Sequence, residues 1–85
     1  MRTATLTMKN EEGLHSRPAM EFSRMAGTFT SEVSVEKDGE AFDAKSMLMV
    51  LAACICKGDT FVLKVQGEDE DRAADSLIAY IEELK

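Results

Sequence analysis

The sequence predicts an α+β fold, an open-faced sandwich with strands in one layer and helices in the other. Three observations lead there. Apolar residues alternate in several short stretches, as in half-buried strands, and recur every three to four positions in others, as on one face of a helix. The two patterns follow one another as strand, helix, strand, strand, short helix, strand, helix, an order that buries every apolar stripe once between two layers. The 85 residues suffice for one domain with a modest core, expected over 1–85, and leave no room for a second.

Arg2 to Met8 alternates, with Ala4, Leu6 and Met8 on one side and three threonines on the other, which predicts a half-buried strand. Glu11-Glu12-Gly13 breaks it. From Ala19 the residues Ala19, Phe22, Ala26 and Phe29 keep helical spacing, so a helix runs from near Ser16 to about Gly27. Met20 and Arg24 fall on the flank that also carries Arg17, leaving Met20 either a core gap-filler or an exposed apolar residue. Glu32 to Glu36 alternates again, and Asp38-Gly39 suits a tight hairpin turn returning through Ala41-Phe42-Asp43. Lys45 to Ala53 has the length of a short helix with Ser46 at its N-terminal edge. Gly58-Asp59 turns the chain into a strand from Thr60 to Gln66, whose inward set is Phe61, Leu63 and Val65. The acidic run Glu68 to Asp71 then complements the positive start of a last helix, with Ala73, Ala74, Leu77, Ile78, Ile81 and Leu84 as its buried stripe.

The stretch with chemistry is Gly13-Leu14-His15-Ser16-Arg17-Pro18-Ala19, which holds the single histidine and single proline of the chain. Pro18 falls in the first helical turn, where its missing N–H removes a donor that has no intrahelical acceptor. His15 or Ser16 is then the cap, and whatever sits on His15 faces outward-pointing N–H groups that favour an anion. Arg17 adds a planar fork of donors suited to phosphate oxygens. A lone histidine before a helix is usually only a cap, and a neighbouring arginine is usually solvated. Nucleophile, donor nest, guanidinium and proline in one contiguous stretch are the parts that a phosphohistidine needs.

Composition narrows the function. A net charge of −6 argues against nucleic acid, whose binders need a basic face to release counterions. The longest apolar run, Met47 to Cys56, is too short to span a bilayer, and the N-terminus has no apolar signal core, so no membrane insertion and a cytoplasmic location are expected. Cys54 and Cys56 are read as free thiols, at least one of them a small buried residue among Leu51, Ala52, Ala53 and Ile55. A C-x-C pair with no second ligand pair is a weak metal signal, so neither a metal nor a cofactor is expected.

These residues resemble HPr, the histidine-containing phosphocarrier family of the bacterial phosphoenolpyruvate-dependent sugar phosphotransferase system. Gly13 to Ala19 is similar to that family's active-site signature, Lys45-Ser46-Met47 falls where its regulatory serine motif lies, and the resemblance extends over essentially the whole chain. It implies a four-stranded antiparallel sheet covered on one face by three helices. It further implies that His15 accepts a phosphoryl group from phosphorylated enzyme I and passes it to enzyme IIA domains, so the chain is a phosphoryl carrier rather than an enzyme. Arg17 would steady the phosphate, with Ser16 a candidate contact at the helix start. Ser46 would be the target of an ATP-dependent HPr kinase in those bacteria that have one. Met20, Arg24, Met47 and Leu48 would form the docking surface of a monomer, toward these enzymes and toward a transcriptional regulator.

The chain departs from the family pattern in places. Ser16 stands where a small residue, commonly alanine, is usual, Met49 and Cys54 stand where the serine helix usually has glycines, and Phe42-Asp43 replaces a small apolar residue and asparagine. Two other carrier or docking readings stay open. One is a regulatory paralogue of a nitrogen-related or specialised phosphotransferase branch; the other is an unphosphorylated docking module acting through the Ser46 region.

Overall fold

A computed structural model describes residues 1–84. Its elements are β1 (Arg2–Thr7), α1 (Ser16–Gly27), β2 (Glu32–Lys37), β3 (Glu40–Asp43), α2 (Met47–Ala53), β4 (Thr60–Gln66) and α3 (Glu70–Glu83), in the expected order. The strands form one antiparallel sheet in the order β1-β4-β2-β3.

Register explains why one face is apolar. Leu6 lies opposite Phe61, Ala4 and Val35 flank Leu63, Val33 pairs with Val65, and Val35 with Phe42, so the alternating residues of all four strands point to the same side. There they meet Leu14, Ala19, Phe22 and Ala26 from the α1 region, Val50 and Ala53 from α2, and Ala73, Ala74, Leu77 and Ile81 from α3. The other face carries Thr7 against Thr60 and the Lys64–Glu36 ion pair, and it is open. This is the four-stranded open-faced sandwich with three helices. Phe22 and Phe61 are fully buried, and truncating either to alanine should cost about 3–5 kcal/mol.

The hairpin β2–β3 closes through Asp38 and Gly39, both at positive φ (54° and 82°), the pairing that matches the twist of the strands. Three boundaries differ from the sequence reading, each for a hydrogen-bonding reason. Met8, though buried, leaves the ladder because its N–H donates to the Asp59 carbonyl and its own carbonyl accepts from Gly58 N–H. α2 starts at Met47 rather than Lys45, because the Lys45 N–H goes to the Asp43 carboxylate and Ser46 becomes the cap. α3 starts at Glu70, since Asp69 turns its carboxylate toward the N–H groups of Thr30 and Ser31 and the Ser31 hydroxyl. That carboxylate is held well below the usual aspartate range by the Ser31 hydroxyl and the two backbone donors.

Candidate functional site

The loop that carries His15 is tied at several points to the segment before β4. Leu14 N–H donates to the Ile55 carbonyl (2.8 Å), and the Leu14 side chain is fully buried as an anchor beside His15. Asn10 braces the turn from within, its side-chain amide donating to the Gly13 carbonyl at 3.0 Å. Gly13, at φ 64°, allows the contact: a Cβ there would sit 2.5 Å from the Ile55 oxygen and 2.8 Å from Cys56 Cα.

His15 is the N-cap of α1 in extended conformation (φ −124°, ψ 163°), half-buried, and its side chain makes no capping hydrogen bond. The first turn holds no acidic residue. Its free N–H groups and the positive end of the helix are therefore left for something that arrives from outside. Ser16 is exposed and takes φ 51°, a left-handed conformation that costs a non-glycine residue about 1 kcal/mol and clusters at functional sites. Arg17 is exposed and, among the described residues, has no hydrogen bond or ion pair; the same holds for Arg24 two turns on. Other cations are engaged: Arg2 with Asp71 and Asp75, Lys37 with Asp59, Lys57 with Glu11. Tyr80, on α3, secures the same helix start, its hydroxyl donating to Glu21 (3.1 Å) and lying 3.4 Å from the Pro18 carbonyl. Burial and Glu21 push that phenol up to about 12.

Ser46 caps α2, its hydroxyl oxygen accepting from Met49 N–H at 3.3 Å. α1 packs against α2, and both carry exposed apolar side chains: Met20 on α1, Met47 and Leu48 on α2, with Leu48 78% exposed. Met20 is thus outside the core. Met49 is exposed as well and joins them, a position that the sequence reading had not included in this surface.

The cysteines correct the sequence reading. Both are exposed: Cys54 ends α2 in a left-handed conformation (φ 52°), and the chain beyond it buries Ile55 and leaves its two neighbours outward. Their thiols lie 4.0 Å apart, and Cys56 Sγ lies 3.7 Å from His15 Nε2. Cys54 and burial push the Cys56 thiol up. The segment is held rigidly: Cys56 N–H donates to Asp59 (2.8 Å), Asp59 pairs with Lys37 (3.0 Å), and Lys37 donates to the Cys54 carbonyl (2.6 Å). Cys56 N–H and Lys37 hold the Asp59 carboxylate below its usual range. Metal binding was set aside for want of a further ligand; the fold supplies one in His15.

Among the described residues no helix is long and apolar enough to cross a membrane. Residues 2–83 match the family model described as PTS HPr component phosphorylation site. The chain is 43% identical over 75 residues to the HPr-like protein Crh of Halalkalibacterium halodurans, covering 88% of this chain and 89% of that one. It is 37% identical to the phosphocarrier protein HPr of Cupriavidus necator, again over 75 residues, 88% of this chain and 84% of the relative. The crystal structure of an HPr from Thermoanaerobacter tengcongensis superposes with a TM-score of 0.94 at 36% identity, covering 96% and 92% of the two chains.

Proposed function

The chain belongs to the HPr family of phosphocarrier proteins, and from that premise we propose that residues 1–85 act as one HPr domain in which His15 carries the phosphoryl group. It takes the group from phosphorylated enzyme I and passes it to enzyme IIA domains for sugar uptake. The carrying observation is that His15 stands at a helix start whose donors, among the described residues, no side chain uses, next to an arginine that has no partner among them. The imidazole lone pair attacks phosphorus. Charge that builds on the equatorial oxygens is met by the first-turn N–H groups and by Arg17, and Ser16 adds a hydroxyl at the same place. The site is half-open and its stabilisation modest, which suits a group that must leave again. Such a chain is a stoichiometric carrier, not a catalyst with its own turnover. We expect it in the cytoplasm, as a monomer, and light scattering checks the latter.

Incubation with phosphoenolpyruvate and enzyme I, followed by intact mass, should add one phosphoryl group that a cognate enzyme IIA domain removes. A chain that stays unmodified while a control HPr is phosphorylated would overturn the assignment.

A second reading is favoured by the 43% identity to an HPr-like protein Crh and by the exposed apolar residues next to Ser46. In it the chain serves regulation: HPr kinase phosphorylates Ser46, and the surface of Met20, Arg24, Met47 and Leu48 docks a transcriptional regulator. A near-dianion at a helix start is tolerated by the fold and changes the charge that a partner meets. Kinase and ATP with Ser46→Ala as control, and transfer to an enzyme IIA domain from the sugar or the nitrogen-related branch, separate the readings.

A further inference from the structure

His15, Cys54 and Cys56 come from two segments about forty residues apart, yet their ligand atoms all lie within 4.8 Å of one another. Two thiolates on one tetrahedral ion, at bond lengths of about 2.3 Å, are about 3.8 Å apart, and a thiolate and an imidazole nitrogen on it about 3.6 Å. The observed separations are 4.0 Å for Cys54–Cys56 and 3.7 Å for Cys56–His15, and Cys54–His15 lies within 4.8 Å, so the set closes when the exposed Cys54 side chain moves by up to about 1 Å, the excess over the ideal spacing. The geometry points to a site for one soft, thiolate-seeking cation, represented by Zn²⁺, held by His15 Nε2 and the sulfurs of Cys54 and Cys56, whose occupancy withdraws His15 from phosphoryl transfer.

Three features support this beyond proximity. The ligands are set before the ion arrives: Gly13 lets the two segments touch, and the Cys56–Asp59–Lys37–Cys54 chain of contacts fixes the thiol-bearing segment. The donors are two sulfurs and one imidazole, a set that suits Zn²⁺ or another thiophilic d¹⁰ ion and not Mg²⁺ or Ca²⁺. Both cysteines are exposed and His15 is half-buried, so an ion can enter, and solvent fills the fourth position.

The coupling follows from the chemistry of imidazole. A neutral ring has one nitrogen lone pair available, and the other nitrogen carries the proton. On binding, two metal–sulfur bonds and one metal–nitrogen bond form, two thiol protons pass to solvent, and the lone pair needed to attack phosphorus is committed to the ion. The metal-free chain accepts the phosphoryl group, and the loaded chain does not.

The coupling, though not the metal site, rests on the carrier reading. The reduced chain is titrated with Zn²⁺, and separately with Co²⁺, without any phosphoryl donor; acceptance from enzyme I and phosphoenolpyruvate is then measured with and without one equivalent of Zn²⁺. We expect one ion per chain, a thiolate-to-cobalt charge-transfer band, loss of both in C54S/C56S, and weaker binding in H15A. Zn²⁺ should suppress acceptance until a chelator is added, after a control shows that enzyme I still phosphorylates another HPr at that Zn²⁺ level, and C54S/C56S should be indifferent to the ion. Absence of stoichiometric binding, or binding that survives in C54S/C56S, overturns the site. Stoichiometric binding that leaves acceptance untouched overturns the coupling. Failure of the metal-free chain to accept phosphate overturns the carrier reading alone.

Discussion

The two helix starts that carry the candidate functional residues solve the same problem in opposite ways. At α2 the Ser46 oxygen accepts from Met49 N–H, and the Ser46 N–H itself donates to the Asp43 carbonyl, so the cap residue satisfies part of that helix start from within. At α1 the cap is a histidine whose ring turns away, Pro18 contributes no N–H, and no acid lies in the first turn. One start is capped by its own side chain; the other is left uncapped, with a positive end that favours an anion. The start of α3 also lacks a side-chain cap, since the Asp69 carboxylate is spent on Thr30 and Ser31, but its first turn carries Glu70 and Asp71, whose charge answers the positive helix end. A helix N-terminus thus becomes a site when its own sequence leaves the donors unused.

The contrast breaks most sharply at His15. His15→Ala should abolish phosphoryl acceptance in the mass assay while the circular dichroism spectrum is unchanged, since the ring makes no capping bond. Gly13→Ala comes next. The left-handed backbone alone costs about 1–3 kcal/mol, the new Cβ meets backbone of Ile55 and Cys56, and a lowered Tm together with slowed acceptance is expected. Arg17→Ala should slow transfer by about 10- to 100-fold with an unaltered Tm, because an exposed donor contributes at or below what one in a closed site does. Ser46→Ala should do the converse: acceptance at His15 stays near normal, and the lost cap costs about 1 kcal/mol, or roughly 4–8 °C in Tm for a domain this small.

A finer test uses the third helix start. Because the Asp69 carboxylate is held below its ordinary value, the unfolded chain takes up that proton first. The stability it confers is complete above the usual aspartate range, near pH 4, and is lost as pH falls toward the folded value. Asp69→Asn should lower Tm modestly at neutral pH and flatten its decline on acidification, measured by thermal melts across that range.

Much of this was legible in the chain. The alternation of Ala4, Leu6 and Met8, the Asp38-Gly39 turn and the stripe of Ala73 to Leu84 each depend on neighbours a few residues away, and local periodicity carries them. So does the placement of His15, Arg17 and Pro18 at one helix start, and of Ser46 at another. The cysteines were misjudged because apolar sequence neighbours suggest burial, whereas the left-handed turn at Cys54 ends the helical pattern and only Ile55 between them is buried. Tyr80 gave no signal at all; its partners on α1 lie about sixty residues away.

Sequence alone therefore carried the elements, the buried stripes and the parts of the proposed phosphate site, because those are short-range properties of backbone and solvent. The meeting of His15 with Cys54 and Cys56 followed from the insertion of β4 beside β1, with Thr7 opposite Thr60. That pairing sets the loop leaving β1 against the segment entering β4, and Gly13 lets them touch. No local pattern encodes it, since strand order is chosen by the burial of the whole sheet face at once.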